Sequence, residues 1–226
     1  MGRDYKNFMR ILLSEDPGEP TLFEPFIHNR IAEQLLWRRG EHMWDTPETY
    51  IDTLTALSEL TGADAIPADA RLFSECEEDF FRAILKYSDD TTRFVCLCDK
   101  ADTARMAERC GGVCAIGVYG DITANKPTIL MDGTAEDAVR LGCAGWFAPN
   151  HAEEYWDEFS PQIAILGGLG ADYLTNTGPV SIHKRCERLY SSTENRRYAL
   201  GSGGCLSDGH YLELISMLGI YKKYRF

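Results

Sequence analysis

The chain has 226 residues, 44% of them hydrophobic and 26% charged, with 35 acidic against 23 basic side chains and a formal net charge of −12. That length buries a large core without disulfide staples. The acidity argues against a phosphate-backbone partner, which needs clustered Lys and Arg, and no segment approaches the roughly 18 apolar residues of a membrane span.

Residues 1–16 mix charges with Ile11-Leu12-Leu13 and lack the long apolar stretch of a secretory leader, so a cytoplasmic protein is expected. A short lead-in helix is followed by the breaker Asp16-Pro-Gly-Glu-Pro20. The apolar run Thr21–Phe26 comes next, then helical spacing over Asn29–Trp37 and Thr46–Leu60. In the second of these Thr46 is a capping residue, Pro47 takes the first helical position, and Thr61-Gly62 ends the helix. The run Ala63–Ala68 precedes a helix over Glu77–Tyr87, and Arg93–Cys98 precedes one over Asp102–Arg109. The runs Val113–Tyr119 and Thr128–Met131 are separated by only Gly120–Pro127. That is too short for an ordinary crossover helix, so either the fourth helix is degraded or one of these two runs is not a barrel strand. Helical spacing then returns over Thr134–Leu141, the run Cys143–Ala148 leads to Ala152–Phe159, and Gln162–Leu166 leads to Pro179–Tyr190. The last run, Tyr198–Gly201, is followed by a helix over His210–Tyr224.

Eight runs, most of them followed by a helix, predict one α/β domain over residues 1–226: a compact (β/α)8 TIM barrel with a degraded fourth helix. Such a barrel carries its active site at the C-terminal ends of the strands. The first run then offers Glu24 and His28, the second Asp69 and Arg71, and the third Cys98 and Asp99. The fourth offers Tyr119 and Asp121, the fifth Asp132, and the sixth Asn150 and His151. The seventh run passes into Gly167-Gly168-Leu169-Gly170, either a close approach to a ligand or a tight strand exit. Its spacing is not a dinucleotide fingerprint, so no nucleotide cofactor is expected.

Four of the eight cysteines (Cys96, Cys98, Cys114 and Cys143) fall inside predicted strands, where a thiol serves as a small buried hydrophobe. Cys205 instead sits in Gly201-Ser-Gly-Gly-Cys-Leu-Ser-Asp-Gly-His210, where it is a candidate nucleophile or metal ligand. Asp132 is the best-placed carboxylate. It reads as a base, a cation stabiliser or a metal ligand, or alternatively as the cap of the helix after it.

Three stretches resemble the uroporphyrinogen decarboxylase superfamily, which includes zinc-dependent methyltransferases that act on corrinoid proteins. They are TILMDGTAEDAVRLGCAGWFAP over Thr128–Pro149, AILGGLGADYLTNTGPVSIHKRCERLY over Ala164–Tyr190, and YALGSGGC over Tyr198–Cys205; Glu24 in FEPF is a weaker match. The resemblance implies a barrel with a ligand pocket at the strand ends. The Arg-Gln-Ala-Gly-Arg motif that decarboxylases use for substrate carboxylates has no counterpart here. The zinc methyltransferases place His-x-Cys at the end of the fifth strand, where this chain has Leu130-Met131-Asp132, and Cys205 matches the last zinc ligand alone.

The activity this resemblance implies is methyl transfer between a small methylated substrate and a corrinoid protein. A decarboxylase acting on a tetrapyrrole or small acid, and a non-catalytic binding barrel, are the alternatives. Asp132, Glu24 and His28 are the candidate catalytic residues. Gly167, Gly168, Arg71, Tyr119 and His151 are candidates for substrate binding, and Cys205, Asp132 and His210 for zinc. A homodimer is compatible with the sequence.

Overall fold

Seven of the eight apolar runs pair into one parallel sheet. A computed structural model of the protein describes residues 4–13, 20–37, 43–192, 196–203 and 211–225. The strands are β1 (Ile66–Asp69), β2 (Phe94–Cys98), β3 (Val113–Val118), β4 (Thr128–Leu130), β5 (Gly145–Ala148), β6 (Ala164–Gly168) and β7 (Tyr198–Gly201). They lie side by side in chain order, every neighbouring pair parallel.

The expected eighth strand is corrected. Among the described residues the run Thr21–Phe26 forms no ladder and makes a single bridge, Leu22 to Leu200. Phe23 N–H donates to the Leu200 carbonyl, and Leu200 N–H donates to that of Thr21. Among the described residues the sheet is therefore curled like a barrel but not closed. The outer edge of β1 explains this. Ile66 N–H is spent inward, on the Arg93 carbonyl of the β2 side. The next residue, Pro67, has no N–H, and Asp69 N–H donates to the Tyr50 hydroxyl at 3.0 Å. Neither donor position on that edge is left for the first run.

The helices are α1 (Tyr5–Leu12), α2 (Asn29–Leu36), α3 (Pro47–Thr61), α4 (Glu77–Tyr87), α5 (Ala101–Arg109), α6 (Ala135–Arg140), α7 (Trp156–Phe159), α8 (Ala171–Asn176), α9 (Pro179–Ser191) and α10 (Tyr211–Arg225). The start of α3 obeys its sequence signals: Thr49 N–H donates to Thr46 Oγ1 at 3.2 Å, and Gly62 ends the helix at φ 79°. The helix expected over Ala152–Phe159 is broken into a 3-10 turn, Ala152–Glu154, and the short α7. No helix joins β3 to β4. In its place Lys126 Nζ donates to the carbonyls of Ala107, Cys110 and Val113 at 3.2, 2.7 and 2.5 Å. These lie at the end of α5 and the start of β3, so a half-buried ammonium ties the short connector to the layer it crosses.

Strand alternation sorts the side chains. Ile66, Phe94, Cys96, Cys98, Ile116, Val118, Trp146, Ile165 and Leu200 face the helices. Val95, Leu97, Ala115, Ile129, Phe147, Ala164, Leu166 and Ala199 face the interior. That interior is narrow at the floor because α1 fills it: Phe8, Ile11 and Leu12 belong to the inner core. A Cβ at Gly145 would meet Leu12 Cδ2 at 3.1 Å, so a small residue is needed there. Arg197 fastens the helix end by donating to the carbonyls of Ile11 and Leu12, each at 2.7 Å. Above the helix, Phe8 stacks on Phe23 at 5.5 Å, and Phe147 meets Phe23 and Phe26 edge-on at 6.0 and 5.9 Å. This aromatic column runs from the floor of the sheet to its mouth. Among the described residues no helix is long and apolar enough to cross a membrane.

Candidate functional site

At the C-terminal ends of the strands the interior opens into a cavity of about 440 Å³. Its walls are Phe26, Tyr119, Met131, Asp132, Gly133, Phe147, Pro149 and Gly203. Each strand-borne member follows from alternation: Ile129 and Met131 share the inner face, as do Gly145, Phe147 and Pro149. Asp132 stands on the rim, exposed. Its Oδ1 accepts a hydrogen bond from Gly120 N–H at 3.0 Å, which joins the turn after β3 to the end of β4. The capping reading of Asp132 is settled by its neighbour. Thr134 caps α6, its Oγ1 accepting from Asp137 N–H at 3.2 Å, while the Asp137 carboxylate accepts from Thr134 N–H. Asp132 is thereby left at the mouth as a carboxylate that the helix does not need.

Tyr119 forms one wall. Burial pushes its phenol up to about 12. The Arg71 guanidinium lies 3.9 Å from the centre of its ring. Arg71 is itself held by a fork to Asp69, Nε to Oδ1 at 2.8 Å and a terminal nitrogen to Oδ2 at 2.7 Å. The hydrogen bonds to Asp69 raise the pKa of this guanidinium further. Arg71 thus reaches the mouth, but its charge is matched by Asp69.

Glu24 takes a different position. It is buried, and both its oxygens accept from Ser202: Oε2 from the backbone N–H at 2.7 Å and Oε1 from the hydroxyl at 2.6 Å. Burial raises its carboxyl to about 7, against the opposing pull of the Ser202 bonds. Glu24 lines a second cavity, of about 190 Å³, with Leu54, Leu57, Leu214 and Leu218 among its walls. That cavity also touches Ile66 and Pro67 of β1 and so lies along the open seam of the sheet.

The other candidates are scattered. His28 caps α2, its Nδ1 accepting from Arg30 N–H at 3.3 Å. His151 adopts a left-handed backbone, φ 48°, and places Nδ1 3.2 Å from the buried Arg185, which also pairs with Glu153 at 3.0 Å. Gly167 and Gly168 both have positive φ, 93° and 98°. A Cβ on Gly167 would meet the Ala148 carbonyl at 2.8 Å, and one on Gly168 the Ala152 Cβ at 2.4 Å. Their smallness serves the packing of neighbouring chain. Cys205 and His210 lie outside the described residues. Among the described residues no three His, Cys, Asp or Glu side chains gather to hold a metal ion. Those donors do not fit zinc by themselves.

The structure therefore brings Asp132 and Tyr119 together at one cavity, puts Glu24 at another, and leaves His28 and His151 apart from both. Sequence reasoning missed Phe26, Met131, Phe147, Pro149 and Gly203 as cavity walls, and Ser202 as the partner of Glu24. The signal for Met131, Phe147 and Pro149 was present in the alternation along their own runs.

No protein-family model matches the chain, and no curated protein sequence does. Solved structures do match. A methyltransferase from Methanosarcina mazei superposes with a TM-score of 0.72 over 99% of this chain and 99% of its own, at 9% identity. A structure assigned as an orotidine 5′-phosphate decarboxylase from Streptomyces avermitilis covers 100% of this chain and 95% of its own, with a TM-score of 0.49 and 9% identity. At such identity the likeness to the methyltransferase is one of fold.

Proposed function

We propose that this chain is a barrel enzyme that moves a methyl group between a small methylated substrate and a corrinoid protein, with the mouth cavity as its substrate site. The observation that carries the reading is that cavity. It lies where barrels of this architecture keep their chemistry, and its volume falls in the range of about 300–1,000 Å³ usual for small-molecule sites. Its walls are mostly aromatic and apolar with one charged side chain, Asp132, among the described residues. The fold shared with the Methanosarcina mazei methyltransferase is consistent with this reading.

In this proposal Phe26, Phe147 and Met131 hold the substrate and keep water from the methyl group. Asp132, fixed by Gly120 N–H, orients it. The corrinoid supplies the nucleophile. As the new bond to carbon forms, the electron pair of the broken bond returns to the substrate heteroatom. No step is routed through zinc. A zinc ion would have to draw on Cys205 and His210 beside Asp132.

Decarboxylation of a highly carboxylated substrate is supported less well. It needs several cationic anchors, yet no Lys or Arg lines the cavity among the described residues, and Arg71 and Arg185 are matched by Asp69 and Glu153.

The test uses free cob(I)alamin as acceptor and choline, dimethyl sulfide and methoxybenzene as methyl donors, with methylcobalamin monitored by absorbance. The protein is expected to raise the rate with at least one donor by about tenfold or more over buffer, and Asp132→Asn to lower it. No acceleration with any donor, or carbon dioxide release from uroporphyrinogen in its place, overturns the proposal. Elemental analysis of wild type and Cys205→Ala decides the zinc version: about one ion per chain, lost in the variant, supports it, and an active metal-free protein removes it.

A further inference from the structure

We infer that the mouth cavity is a cage for a methylated onium cation, a quaternary ammonium above all. The inference rests on the reading of this cavity as the substrate site and names its substrate class. A quaternary ammonium has no N–H to donate, so it is recognised by ring faces and by charge. The cavity provides those. Phe26 and Phe147 meet at 76° with their centres 5.9 Å apart, forming an aromatic corner. Tyr119 adds a third ring and Met131 a polarizable thioether. Asp132 sets a negative charge at the rim. Its Oδ1 is engaged by Gly120, and among the described residues Oδ2 accepts no hydrogen bond.

The same lining argues against an anion, because no Lys or Arg belongs to it among the described residues. Arg71 already lies against the Tyr119 ring, which makes Phe26 and Phe147 the principal walls. The net charge of −12 favours approach of a cation over that of an anion. The reaction balances without a proton. The acceptor's electron pair forms the bond to the methyl carbon, the carbon–nitrogen pair returns to nitrogen, and a neutral amine leaves. Loss of the positive charge also loosens the contact with Asp132 and the rings, which promotes release of the product.

Choline and its uncharged isostere 3,3-dimethyl-1-butanol are the probes, with affinity for the full chain measured by calorimetry and by NMR line broadening. Choline is expected to bind at least about tenfold more tightly than the isostere, as a cation against aromatic faces and a carboxylate should. Asp132→Asn should weaken choline by about tenfold and leave the isostere unchanged; Phe26→Leu should weaken choline more than the isostere. Equal binding of the two probes, no binding of either, or equal loss of both in Asp132→Asn overturns the cage. The two readings fail separately. Choline binding with no methyl transfer supports the cage and removes the transferase, whereas transfer from methoxybenzene without choline binding does the reverse.

Discussion

Glu24 shows how far one side chain departs from its ordinary behaviour when the chain folds around it. In the unfolded chain its carboxyl titrates near 4.5, and in the folded protein burial raises it to about 7. A raised carboxyl binds its proton more tightly when folded. The resulting stability is fully present below pH 4.5 and is lost as pH rises toward 7. The shift corresponds to about 3 kcal/mol across that window. Glu24→Gln is expected to abolish the trend, because a neutral amide can accept from Ser202 N–H and donate to its hydroxyl. Urea midpoints between about pH 4.5 and 8 should fall for wild type and stay level for the variant; parallel curves would mean that Glu24 stays ionised when buried. Asp132 is the opposite case. It is exposed, relieved of helix capping by Thr134, and so is available to a ligand.

At the scale of elements the short β3–β4 connection is the departure from barrel regularity, and Lys126 is what makes it work. Its ammonium sits at the C-terminal end of α5, where the helix end is negative. Burial lowers its pKa, so the ammonium is held there at some desolvation cost. Lys126→Met keeps the stem but leaves the carbonyls of Ala107, Cys110 and Val113 without this donor. A loss of about 2–3 kcal/mol is expected from chemical denaturation. A change below about 0.5 kcal/mol would show that solvent replaces the ammonium freely. The edge of β1 belongs to the same scale. Pro67 and the Tyr50 hydroxyl blunt it, and the apolar cavity on that seam occupies the place of a strand pair.

Over the whole molecule, α1 and the aromatic column organise the interior. The helix closes the floor, and Phe8, Phe23, Phe147 and Phe26 carry packing upward to the cavity. Phe8 is fully buried. Phe8→Ala should cost about 3–5 kcal/mol, since it opens a cavity at the base of the column. A thermal unfolding midpoint within a degree or so of wild type would contradict this role for the floor. Overall acidity acts at this scale as well. It biases which ligands approach the mouth, and its influence on encounter should weaken as salt is added.

Much of this architecture was legible in the chain. Seven of the eight apolar runs are strands, the cap at Thr46 is where its residue type puts it, and the connector between Tyr119 and Thr128 lacks a helix as its length implied. These features depend on neighbours within a few positions, so local periodicity and capping chemistry determine them. Closure did not follow from the count of runs. It turned on whether β1 had outward donors for the run Thr21–Phe26, and Tyr50 takes one while Pro67 lacks the other. Glu24 reads in sequence as another carboxylate at a strand end, and its partner Ser202 stands 178 residues away. The assembly of Phe26, Tyr119, Asp132 and Phe147 around one cavity was likewise decided only by the tertiary structure, because a shared pocket is a relation between distant segments that local patterning does not encode.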